Sequence, residues 1–136
     1  MDFSKSMSVA ASGMRAQTER MKIIAENIAN ANSTATNKDG DPYRRKIATI
    51  NSTFDRELGA TLVTAGKPVL DQKEFRSQYD PGNPNADKQG YVKLPNVDSL
   101  VEIMDMRSAQ RSYEADLTVM DSTKQMLAKT IDLLRR

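Results

Sequence analysis

SLVEIMDMRSAQRSYEADLTVMDSTKQMLAKTIDLLRR, Ser99 to Arg136, is the stretch on which the fold turns. Within it Ile103, Met106, Gln110, Tyr113, Leu117, Met120, Lys124, Leu127, Ile131 and Leu134 step alternately by three and four residues. That is the heptad rhythm of a helix packing lengthwise against another, and only Gln110 and Lys124 interrupt it. Polar residues at such positions cost stability but can fix register and partner number. The helix is expected to start at Asp98 or Ser99, shortly after Pro95, and Ser99 with Glu102 has the spacing of a capping box. At the far end Arg135 and Arg136 suit the negative pole of the helix, whereas Asp132 opposes it.

A second stripe stands at the other end of the chain. Met7, Met14, Met21 and Ile28 recur every seven residues, with Ala11, Thr18 and Ala25 four residues after the first three. This predicts a helix from about residue 4 to 30, a rod roughly 40 Å long at about 1.5 Å per residue. The run from Asn30 to Asn37 ends it, because Asn, Ser and Thr side chains compete for the backbone's hydrogen bonds.

Proline and methionine separate these ends from the middle. All five prolines lie between Pro42 and Pro95, and all eight methionines lie in 1–21 or 104–126. Proline breaks helices, and methionine is a good helix former that fills irregular gaps. The middle, about 42–95, has short β-prone runs at Tyr43–Ile50, Thr61–Val63 and Tyr91–Leu94. Gly59, Gly66–Lys67–Pro68 and the turn-rich DPGNPNADKQG from Asp80 to Gly90 separate them. A small β-rich segment or long loop is expected, with no pairing legible.

Composition removes several chemistries. The 136 residues make one domain's worth of chain, 38% hydrophobic but only 5% aromatic, too few rings for a thick core. There is no His and no Cys, so the commonest general base, thiolate nucleophiles, disulfides and zinc–thiolate sites are all lost. The net charge of +2 is spread evenly along the chain rather than gathered as a nucleic-acid binder would gather it. No run approaches a membrane span, and MDFSKSMSVAASGM lacks the continuous apolar stretch of a cleaved signal peptide. Export without a cleaved signal stays compatible with this start.

The remaining candidate sites are weak. Asn37, Asp39 and Asp41 flank Gly40 like part of a calcium loop. Aligning Gly40 with the loop's glycine, however, puts Ala35 at the first ligand and Lys46 at the bidentate acid position, so the match fails. Arg44, Arg45 and Lys46 form the only basic triplet; a charged, solvated strand edge is favoured over a phosphate or acidic-partner contact. Tyr113 with Glu114, and Arg111 with Asp116, sit inside the heptad helix with no nucleophile or glycine-rich loop beside them. No catalytic constellation survives: no cofactor or metal is expected, and the chain does not read as an enzyme. The stripes could lie on a membrane, but their polar faces mix both signs and there is no Trp, so partner helices fit better than membrane insertion.

The fold class expected is mainly α: long N- and C-terminal helices pairing as a coiled coil, with a small β-rich or irregular middle. The segments are 1–36, 37–95 and 96–136. The longer helix has apolar surface to spare, which copies of the chain or related subunits would cover, and a head-to-tail contact that does not close would build a helical assembly. A soluble coiled-coil adaptor or export chaperone is the alternative, and a carboxylate-and-lysine metal hydrolase a weaker third.

Three stretches carry a resemblance. SGMRAQTERMKIIAENIANANST, Ser12 to Thr34, resembles the N-terminal signature of the flagellar rod–hook axial family. DGDPYRRKIATI, Asp39 to Ile50, is similar to its Pro-Tyr-Arg-Arg segment. Asp80 to Arg136, with Gly-Tyr-Val, Pro-Asn-Val and Arg-Ser-Tyr-Glu-Ala in order, is the most specific match. One departure is Asp116, where the family usually carries Asn. The short chain is similar to a proximal-rod member. The resemblance implies export through the flagellar type III apparatus without a cleaved signal, and assembly in the periplasm into a rod that carries torque to the hook. It implies terminal helices forming a coiled-coil inner domain, commonly unfolded in the free subunit. Implied neighbours are the rod proteins FlgB, FlgF and FlgG, the base protein FliE and copies of the chain. On motif match Asn27, Asn30 and Asn32 would end the first helix, and Arg111, Tyr113 and Glu114 would mark a contact region of the second. With the stripe residues Met7, Met14, Met21, Ile28, Leu117, Met120, Leu127, Ile131 and Leu134 they are the expected subunit interface.

Overall fold

The computed structural model describes residues 2–136. Two long helices enclose six short strands in sequence. Helix α1 spans Phe3–Ala29 and α2 spans Ser99–Leu134, and the two pack against each other. Between them lie β1 (Lys46–Ile47), β2 (Ile50–Asp55), β3 (Ala60–Ala65), β4 (Val69–Leu70), β5 (Arg76–Tyr79) and β6 (Tyr91–Leu94). They pair only two by two, all antiparallel: β1 with β4, β2 with β3, β5 with β6. No helix among the described residues is long and apolar enough to cross a membrane.

The chain forms two compact units. The first gathers the residues up to Met21, Thr49–Gly66 and Arg107–Arg136. Here the buried residues of both helices are small: Ala10, Ser12 and Ala16 on α1, Ala109 and Thr123 on α2. Gly13 comes so close to α2 that a β-carbon there would stand 2.4 Å from the Asp116 Oδ2. Hairpin β2–β3 lies along α1, and the Ser12 hydroxyl accepts the Val63 N–H at 3.2 Å while donating to the Val9 carbonyl at 2.7 Å. One hydroxyl thus serves α1 and the outer edge of β3. The tip turns at Gly59, whose φ of 65° suits glycine, and the Asp55 carboxylate accepts the N–H groups of Glu57 and Leu58. At the base the Gly66 N–H donates to the Thr49 carbonyl at 2.8 Å.

The second unit comprises Lys22–Ala48 and Lys67–Met106. It holds the branched side chains of the core: Ile23, Ile24, Val92, Leu94 and Val97, with Ala31 and Pro95. Strand β6 alternates exposed and buried residues, as a half-covered strand must. The turn back to it from β5 closes through Gly90, at φ 86°, where a β-carbon would lie 2.8 Å from the Tyr79 ring.

The seam departs from the expected stripe. On α2 the buried positions are Glu102, Ala109 and Thr123, each one residue before the predicted Ile103, Gln110 and Lys124, which are exposed. On α1 Ala10, Ala16, Ile23, Ile24 and Asn27 are buried, while Met7, Met14, Met21 and Ile28 are only half-buried and Thr18 and Ala25 are exposed. Small residues bring two helix backbones close, and larger apolar side chains are then displaced to the flanks of the contact. The capping box also fails. The Asp98 carboxylate accepts the Leu100 N–H at 3.0 Å and so caps α2, whereas Glu102 turns inward.

Candidate functional site

Glu102 is the largest fully buried side chain of the second unit, at 0% exposure. A carboxylate so placed must be paired. Its Oε1 accepts from the Arg45 Nε in a short charged contact, and its Oε2 accepts from the Asn27 Nδ2 at 3.2 Å. Arg45 also reaches Asp71 at 3.3 Å and Asp105 at 3.6 Å. Burial alone would pull the guanidinium down, but Glu102 and then Asp71 more than offset it, so its pKa lies above the ordinary value.

Asn27, 1% exposed, acts as a strand partner from the end of a helix. Its Nδ2 donates to the Lys46 carbonyl at 2.8 Å, and its Oδ1 accepts the Lys46 N–H at 3.0 Å and the Tyr43 hydroxyl at 2.7 Å. Burial, then the nearby Glu26 and Glu102, push the Tyr43 phenol up. Lys46 reaches Glu26 at 3.0 Å.

Asn96 does the same from the other side. Its Oδ1 accepts the Arg45 N–H at 2.8 Å, and its Nδ2 donates to the carbonyls of Asp71 and Lys73, both at 3.0 Å. Asp71 accepts the Lys73 N–H at 3.0 Å, and this bond, with Arg45 added, holds its carboxyl below the ordinary carboxylate value. Arg44 donates to the Asp71 and Lys73 carbonyls and lies 4.3 Å above the Phe75 ring. Arg76 donates to the Pro95 and Ala31 carbonyls at 3.0 and 2.6 Å. These side chains take up backbone groups that three two-stranded ladders leave unpaired. The arrangement holds loops; it presents no nucleophile and no cleft converging on one.

The basic triplet is therefore not the solvated edge expected from its charges: Arg44 and Arg45 are structural cross-links and Lys46 a docked strand. Nothing in the sequence shows that a charge is buried until its partner is known, and Glu102 lies 57 residues from Arg45.

The expected interface residues fall into three groups. Asn27 faces inward. Asn30 is half-buried, its amide donating to the Glu26 carbonyl at 2.8 Å where α1 ends, and Asn32 is exposed. Met7, Met14, Met21, Ile28, Tyr113 and Met120 are half-buried. Met7 and Met120 line an open groove of the first unit with Leu62 and Leu127. Arg111 and Glu114 are exposed, as are Leu117, Leu127, Ile131 (48%) and Leu134 (81%), which continue one apolar stripe along α2. Every residue from Lys124 to Arg136 is exposed. Among the described residues no cluster of three or more acidic side chains could hold a metal ion.

Comparison with known proteins bears on both ends of the chain. Residues 7–35, α1 and its terminating turn, match the family model of flagella basal body rod proteins. Residues 88–133, β6 and nearly all of α2, match that of the C-terminal part of the flagellar basal body rod FlgEFG proteins. The flagellar basal-body rod protein FlgC of Agrobacterium fabrum is 48% identical over 127 residues, 93% of this chain and 91% of that one. The chain belongs to the FlgC family of flagellar basal-body rod proteins. FlgC of Escherichia coli O157:H7 is 40% identical over 92% of both chains, and FlgC of Aquifex aeolicus 36% identical over 97% of both. As a FlgC-family chain it is a structural subunit of the basal-body rod and associates with other rod components. An adaptor or chaperone role is not favoured. The two stretches that the family models match contain most of the two helices, and the hub joins the end of one to the start of the other through Asn27 and Glu102.

Proposed function

We propose that this chain is a proximal-rod subunit that assembles helically with its neighbours and transmits torque from motor to hook, without enzymatic activity. The observation that carries this reading is the exposed apolar stripe of α2, Leu117, Leu127, Ile131 and Leu134, on a chain 48% identical to a rod protein over nearly its whole length. Such a stripe demands cover, and a rod built of parallel subunits supplies it. The division into 1–36, 37–95 and 96–136 fits this role: the two end segments would build a coiled-coil inner domain, and the middle would face outward. Interface contacts would come from the four stripe residues together with Met7, Met14, Met21, Ile28, Asn30, Asn32, Arg111, Tyr113, Glu114 and Met120. Asn27 would act indirectly, by holding the turn that places them. FlgB, FlgF, FlgG, FliE and further copies are the proposed partners, reached by type III export without a cleaved signal.

A difference in burial between the units supports order on assembly. The second unit buries five branched aliphatic side chains, each worth roughly 1.5–3 kcal/mol when fully buried. In the first unit the described hydrophobic residues that are fully buried are alanines, which contribute far less. Its helices would gain their stability from neighbours.

The test is mass spectrometry of detergent-purified basal bodies from cells expressing the wild-type chain or the triple variant Leu127→Ser, Ile131→Ser, Leu134→Ser. The wild type is expected in stoichiometric amount with other rod proteins, and the variant, still folded in its second unit, is expected to be lost. Wild-type protein confined to the cytosol would overturn the assignment. Normal recovery of the variant would overturn the role of the stripe alone.

A further inference from the structure

We propose that Asp116 is a built-in wedge that loosens the contact of α1 with α2 when ionised and lets it close when neutral. The geometry is specific. At Gly13 the absence of a side chain leaves a notch in α1, and the Asp116 carboxylate occupies it, with Oδ2 2.4 Å and Oδ1 3.2 Å from where a β-carbon would stand. In the same unit Ser12, next to Gly13, Ala16, three residues on, and Ala109 of α2 are all buried. Among the described residues no hydrogen bond or ion pair to Asp116 is made. One helical turn either side of Gly13 stand Val9, Ala10, Ala16 and Gln17, and either side of Asp116 stand Ser112, Tyr113, Val119 and Met120. Tyr113 is the only titratable group among them. Strand β3 contributes no charge, and the hairpin's Asp55, Arg56 and Glu57 lie at its tip, where Gly59 approaches Lys5, roughly 12 Å along α1 from Gly13. The nearest cation along α1 is Arg15, two residues from Gly13 and exposed, and it makes no ion pair with Asp116; Arg20, further on, donates to Gln17 at 3.5 Å.

A carboxylate half-withdrawn from water without a partner disfavours its charged form, and burial accordingly pushes the Asp116 carboxyl up. The folded pKa exceeds the unfolded one. The contact therefore gains stability as pH falls through the folded pKa and loses it as pH rises. An amide has the same shape without the charge, so asparagine would hold the seam closed at any pH. The consequence is a subunit whose helix pair is under-stabilised at neutral pH and readily rearranged on meeting a neighbour.

The test compares the full chain with Asp116→Asn by circular dichroism and thermal melting at pH 7.5 and pH 4, with hydrogen exchange to locate the change. The variant is expected to melt about 2–5 °C higher at pH 7.5, with a clearly smaller difference at pH 4 as the carboxyl takes up its proton. Extra protection should be confined to residues 9–17 and 112–120. A variant matching or falling below the wild type at pH 7.5 in both helix content and melting overturns the proposal. So does a difference that persists undiminished at pH 4, or protection spread equally to Ile23 and Asn27.

Discussion

At the residue scale, the second unit rests on a charge it had no need to bury. Glu102 could have capped α2 from the surface; instead its carboxylate ties Arg45 to Asn27, and through Arg45 to Asp71. Replacing one partner of a buried pair leaves the other uncompensated. Arg45→Ala is expected to cost about 3–5 kcal/mol in urea unfolding, whereas the exposed Arg111→Ala should cost under about 0.5 kcal/mol. The hub also sets an acid limit. Asp71 has its carboxyl held down by the Lys73 N–H and by Arg45, so its folded pKa lies below its unfolded one. Its contribution is present above the unfolded value and is lost as pH falls through the folded value. The wild type should lose second-unit stability on acidification below about pH 4, and Asp71→Asn should flatten that part of the profile. Amide exchange at Val92 and Val97 across the titration would read it.

At the element scale, both helices were legible to within one or two residues, because proline exclusion and heptad spacing are local properties of the chain. The face each helix presents to the other was not. Ile103, Leu117 and Leu127 look like a core stripe since they are large apolar residues at the right spacing, yet the small Ala109 and Thr123 are buried in their place, and Gly13 meets α2 because it has no side chain. Strand β5, Arg76–Tyr79, carries no alternation at all and is exposed along its length; it exists because β6 pairs with it and Arg76 reaches the Pro95 and Ala31 carbonyls. Ser99 and Glu102 have the right spacing for a capping box, but burial claimed the glutamate. Asp98 is the cap. Asp98→Ala should therefore destabilise by about 1 kcal/mol in chemical denaturation and Ser99→Ala by only a few tenths, the reverse of what the capping-box spacing implies.

At the scale of the whole molecule, the bulk of the apolar burial and the polar hub share one unit, while the other is held by alanines, a hydroxyl and a glycine notch. Uneven stability of this kind shows as separate opening events. In the free chain, amides of Ile23, Ile24 and Val92 should exchange at least about tenfold more slowly than those of Ala10, Ala16 and Ala109. Incorporation into basal bodies should erase most of that gap. Equal protection in the free chain would mean the first unit needs no neighbour to order it. Little of this division could be read from the sequence, where methionine stripes make the two helices look equally well provided.

The hairpin Thr49–Gly66 is closed at its base by a hydrogen bond from the Gly66 N–H to the Thr49 carbonyl, one step beyond the Ile50–Ala65 pair. Its ends meet, so what lies between them can change without altering the course of the chain on either side. Lengthening such a connection costs entropy only logarithmically. This is a grafting point: a short peptide tag inserted between Glu57 and Leu58 should leave motility intact, while the same tag between Asp71 and Gln72 should abolish it. A lineage wanting a bulkier subunit could enlarge the protein at this one place and keep everything else.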